Sequence, residues 1–120
     1  MTLTNADRAV VARYPELTGL ITLREDRKWR FMPNYLYGEL ELLVGFYVWL
    51  PEGWSDAIAI ASRTDARAYR CDPAGGEVWG HEGRLAEVLN LLTELPAPGE
   101  PGAPYLVKAK AHRLWVPRTA

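Results

Sequence analysis

Three residues carry the chemistry of a nucleophile or a metal ligand: Cys71, His81 and His112. A thiol beside an imidazole makes an activated nucleophile. The spacings here are ten and thirty-one residues, no cysteine-hydrolase signature surrounds Cys71, and its apolar strand setting predicts an inert buried thiol. The same three residues match no compact zinc motif. Glu39 and Glu41 would share one strand face about 7 Å apart by strand rise, within the range of paired glycosidase carboxylates. Adjacent acids on a solvated strand face give that spacing too. Ser55, Asp56 and Ser62 lack the glycine pattern of a nucleophile elbow, and Gly75, Gly76 and Gly80 fit neither a phosphate loop nor a dinucleotide fingerprint. No catalytic set, metal or cofactor is expected, and the chain reads more readily as a binding protein than as an enzyme.

The most unusual feature is aromatic, with five tryptophans and six tyrosines. Each tryptophan brings a large apolar area and one N–H that needs a partner, so most belong in the core. Trp54 is the exception to expect, because it sits in the turn-like PEGWSD segment near Asp56, where an exposed ring suits partner contact. Trp79 and His81 flank Gly80 at the entrance of a helix and offer a second rim. Trp29 and Arg30 offer a third.

Arg24, Arg27, Lys28, Trp29 and Arg30 also mix cations with an aromatic, as single-strand nucleic-acid binders do. Glu25 and Asp26 dilute that field, and a solvated tip explains the segment as well. Lys108, Lys110 and Arg113, with His112 and Arg118, form a second basic group that edge-strand protection explains equally. A nucleic-acid interface would need both groups on one surface.

The chain has 120 residues, enough for one domain, residues 1–120, that buries its own core. Fourteen basic and 15 acidic residues leave a formal net charge of −1, so there is no global field for polyanions. A single cysteine excludes an intrachain disulfide scaffold and suits a reducing cytoplasm. No signal-peptide pattern opens the chain and no apolar run approaches membrane-span length. The richness in Arg, Ala, Gly and Pro matches a GC-rich, bacterial-type composition.

These residues must be held by a sheet. Ala57 to Ala61 is apolar on both strand faces and predicts a central strand, with the alanine face free for close helix approach. Phe46 to Leu50 before it and Ala66 to Cys71 after it complete a three-strand antiparallel meander. Thr4 can cap a short N-terminal helix that Pro15 ends. Leu20 to Leu23 reads as a strand paired in a charged-tip hairpin with Trp29 to Met32, and residues 33–44 read as a strand between Gly38 and Gly45. Asp72 to Gly76 is a turn, Glu77 to Trp79 a strand, and residues 83–95 an amphipathic helix with Leu85, Val88, Leu89, Leu92 and Leu95 on one stripe. Proline-rich residues 96–104 form a stiff connector, Tyr105 to Lys110 alternates like an edge strand, and Leu114 to Val116 reads as a last short strand.

The expected fold is therefore α+β, a mostly antiparallel sheet of about five to seven strands with one helix on a face and a short N-terminal helix. The expected role is a non-catalytic protein-binding module, such as an adaptor, an accessory subunit or an immunity-type inhibitor. Its aromatic turns and an exposed strand edge would meet another protein, with no membrane association, and the edge would also permit homo-oligomers. The alternative is nucleic-acid binding through residues 24–30 and 108–118.

Overall fold

Ala57 to Ala61 lies in the middle of an antiparallel sheet, as its two apolar faces predict. The computed structural model describes residues 16–36 and 39–110. Its elements are α1 (Leu17–Asp26), β1 (Arg30–Leu36), β2 (Glu39–Trp49), β3 (Trp54–Ser62), β4 (Asp65–Cys71), β5 (Gly76–Gly83), α2 (Leu85–Glu94) and a two-residue β6 (Ala109–Lys110). Every strand pairs antiparallel with its sequence neighbour, in the order β1-β2-β3-β4-β5-β6. The fold is thus a five-strand meander, to which β6 adds at one end, with two helices: the expected α+β class. The proposed cap at Thr4, the helix before Pro15 and the strand at Leu114 to Val116 fall outside the described residues.

Both faces of β3 are apolar, so register decides which one the helices cover. Ile58 and Ile60 stand opposite Ala68 and Ala66 of β4, and these residues lie beneath the α2 stripe of Leu85, Val88, Leu89 and Leu92. The helix therefore docks on the isoleucine face, not on the β3 alanine face expected from the sequence. The physical requirement for small residues was sound, but β4 meets it. Ala66 and Ala68, both fully buried, let α2 approach the sheet over β4 and β5 while the isoleucines fill the space beside it.

Leu20 to Leu23 is helix α1, which corrects the expected strand and its charged-tip hairpin. Leu20, Ile21 and Leu23 are all buried, and a short run apolar on every side has no period that separates helix from buried strand. Packing settles it, because Leu20 and Leu23 at i and i+3 reach the same core as Leu89 and Leu92. The helix ends at Arg27, and Lys28 turns the chain with φ 62°, a left-handed conformation that costs a residue with a Cβ roughly 1 kcal/mol. The Trp29 N–H then donates to the Leu23 carbonyl at 3.0 Å and the chain enters β1.

Residues 33–36 and 39–44 are extended as expected, but they divide between β1 and β2, which pair with each other. Phe31 stands opposite Gly45, and its ring occupies the space where a Cβ on Gly45 would lie. The turn at Asp72 to Gly76 forms as read: the Asp72 carboxylate accepts the N–H groups of Ala74 and Gly76 at 3.0 and 2.8 Å, and Gly75 has φ 90°. The proline-rich connector makes two successive turns, closed by Glu100 N–H to Ala97 carbonyl and Ala103 N–H to Glu100 carbonyl. Tyr105 to Lys108 is not a strand but an exposed irregular run, and pairing begins at Ala109.

Candidate functional site

Asp56 and Arg70 are charged residues in phase with the helix-covered positions of β3 and β4, Asp56 with Ile58 and Arg70 with Ala68. The register sets them directly opposite each other, and further sets Tyr47 of β2 beside Asp56 and Trp79 of β5 beside Arg70. A row of large polar and aromatic side chains thus crosses the sheet on its helix-covered face, near the end where β2 turns into β3.

The centre of the row is a closed hydrogen-bond set. Arg70 Nε donates to Asp56 Oδ1 at 2.6 Å and Nη2 to Oδ2 at 2.9 Å, with both residues almost wholly buried. Oδ2 also accepts the Trp49 indole N–H at 3.1 Å, and the guanidinium lies 5.7 Å from the centre of the Trp49 ring. Arg70 Nη1 donates to the Pro96 carbonyl at 2.6 Å, which fastens the connector to the core. This two-pronged pairing satisfies the buried charges, without which each would carry a large desolvation cost.

Beside this set the rings continue. Tyr47 meets Trp49 edge-on with centroids 5.0 Å apart, Trp29 lies nearly parallel to Tyr47 at 6.5 Å, and Phe31 follows Trp29 at 6.4 Å. Trp29, Tyr47, Trp49 and the Asp56–Arg70 pair line a cavity of about 310 Å³, walled by Leu92 and Leu95 of the α2 end and rimmed by Asp26, Arg27 and Lys28. A second hollow, of about 250 Å³, lies on Trp49 as well, between the turn residues Leu50 and Glu52, Trp54, and Pro98 and Gly99 of the connector. Trp49 is the wall the two share.

The residues expected at a contact site are thereby sorted. Trp54 is half-buried, pairs across the hairpin with Trp49 and lines the second hollow. Asp56 is 3% exposed and is not a surface group at all, because its carboxylate is consumed by Arg70 and Trp49. Trp29 is buried at the cavity wall, while Arg30 is exposed at the start of the β1 edge. Trp79 is half-buried against the core, and His81 Nε2 lies 3.0 Å from Glu87 Oε1, tying β5 to α2.

The described basic residues of the two groups fall in two segments of the fold. Arg24 pairs with Glu25 at 2.9 Å, Arg27 donates to the Thr93 carbonyl of α2 and Lys28 to the Glu25 carbonyl. Lys108, whose backbone N–H donates to the Glu77 carbonyl, and Lys110 lie beside β5. Arg113 falls outside the described residues.

Cys71 is buried opposite Ser55, and burial pushes its thiol up, with the Glu77 and Asp72 carboxylates acting in the same direction. His81 is on the helix-covered side of the sheet and paired with Glu87, so it does not serve Cys71 as a base. Among the described residues no cluster of His, Cys, Asp and Glu could hold a metal ion, and no helix is long and apolar enough to cross a membrane. The cavity and the ion pair were missed from sequence, though Asp56 and Arg70 in phase with buried residues were the signal for them. No family model matches the chain, and neither a curated protein nor a solved structure shows detectable similarity to it.

Proposed function

We propose that this chain is a non-catalytic protein-binding module, of the adaptor, accessory-subunit or immunity-type inhibitor kind, working in a reducing cytoplasm. The observation that carries the reading is Leu50, which stands 82% exposed at the corner between β2 and β3, against the hollow that Trp54 lines. A leucine held out by an ordered turn beside a half-buried tryptophan is the pattern of an interface anchor. The turns β2–β3 and β4–β5 share one end of the meander, and the exposed run Tyr105, Leu106 and Val107 leads into β6 at that same end. Beyond Glu77 the outer side of β5 has no strand partner among the described residues, so a partner strand can add there next to the apolar run.

The test is to place a photoreactive side chain at position 50 or 106 of the full chain and expose it to extract of the source cell. Recovery of one defined polypeptide, lost when Leu50→Asp and Leu106→Asp are combined in a protein of unchanged stability, supports the reading. Equal recovery by the variant sinks it. A cross-link to a second copy of the chain would make the partner the protein itself, through the same end.

A further inference from the structure

We propose that the cavity walled by Trp29, Tyr47 and Trp49 is a binding site for a small aromatic carboxylate. Size gives the first argument: about 310 Å³ lies at the lower end of the range for small-molecule pockets and holds a one- or two-ring molecule. The walls give the second. A ring slid among Trp29, Tyr47 and Trp49 finds both stacked and edge-on partners, the two arrangements aromatic pairs prefer.

The polar groups select the charge. Trp29 is 5% exposed, yet neither its indole N–H nor the Tyr47 hydroxyl donates to another described group, and neither is sealed from solvent. Two donors without a described partner thus belong to rings that line the cavity. On the rim stand Arg27 and Lys28, opposed by the single carboxylate of Asp26, while Arg70 and Asp56 neutralise each other. One net positive charge matches a monoanion, and a phosphoryl group would call for more unopposed cations. An amine finds little welcome at the floor, because the Asp56 oxygens already accept three hydrogen bonds. Lys28 adds a further sign, since its left-handed backbone is held at the cavity mouth, where stored strain commonly accompanies function. The bound carboxylate would meet the Trp29 N–H, the Tyr47 hydroxyl and the rim cations.

The experiment follows the indole N–H signals of the isotope-labelled full chain during titration with benzoate, and in parallel with benzylamine and benzyl alcohol. The expected result is saturable movement of the Trp29 signal with benzoate, binding at least about tenfold tighter than either matched probe. Arg27→Ala with Lys28→Ala, both exposed positions, should weaken benzoate about fivefold or more and leave benzyl alcohol unchanged. Tyr47→Phe should do the same in smaller measure. No saturation by about 10 mM benzoate overturns the proposal. Equal binding of benzylamine or benzyl alcohol, or an unchanged benzoate affinity in the rim variant, overturns it as well.

Discussion

Arg70 and Asp56 face each other across β4 and β3 with Nε 2.6 Å from Oδ1, and the same arginine holds the Pro96 carbonyl through Nη1. Sheet and connector therefore share one buried cation. Removing either partner strands the other's charge in the interior, so Arg70→Ala or Asp56→Ala should each cost about 3–5 kcal/mol. The double variant Asp56→Ala with Arg70→Ala should cost clearly less than the two single losses added together, which a double-mutant cycle by urea unfolding will read.

Gly45 is required by a ring rather than by a turn, because Phe31 fills the place of its missing Cβ. Gly45→Ala must push Phe31 toward Trp29, against which it stacks. A loss of about 1–3 kcal/mol is expected, with an altered near-ultraviolet circular dichroism band from the aromatic row.

Lys28→Gly should act the opposite way on the fold. Glycine accepts φ 62° without a Cβ penalty, so the variant should gain about 0.5–1 kcal/mol. Loss of the ammonium at the cavity rim should at the same time weaken benzoate, a split between stability and binding that thermal unfolding and titration would record separately.

The Arg63 guanidinium, by hydrogen bonding, holds the Glu16 carboxyl below its ordinary value of 4.5. The unfolded chain therefore takes up that proton first as pH falls. The stability supplied by the pair is present above the ordinary carboxylate value and is lost as pH falls through the lowered folded-state value. Glu16→Gln should be less stable than wild type at pH 7, and the difference should vanish in acid. Unfolding midpoints of both proteins across that range make the comparison.

Burial raises both the Cys71 thiol and the Tyr69 phenol. Here the unfolded chain ionises first, so stability is intact below the ordinary thiol value, roughly pH 8.5, and declines as pH rises toward the raised folded values. Cys71→Ala should delay the onset of that decline to the tyrosine range. Consistent with the same burial, a disulfide reagent should modify native Cys71 far more slowly than the urea-unfolded thiol.

The sheet and α2 were legible in the sequence because their periods are unambiguous: Phe46 to Leu50 and Ala57 to Ala61 alternate, and Leu85, Val88, Leu89 and Leu92 fall on one helical stripe. The segment Leu20 to Leu23 was not, since four residues span barely one helical turn and its partners Leu89 and Leu92 lie nearly seventy residues further along the chain. The face that α2 covers depends on pairing β3 with β4 in one register, information no single strand holds. For the same reason Asp56 read as a turn neighbour of Trp54, when its true surroundings are Arg70 and Trp49.

The indole of Trp49 is a party wall, with one compartment on either side and its N–H pinned to the Asp56 carboxylate. An occupant that tilts this ring from one compartment reshapes the other, and the coupling must run equally in both directions. A small molecule beneath the ring and a macromolecule at Leu50 would then sense each other without ever touching.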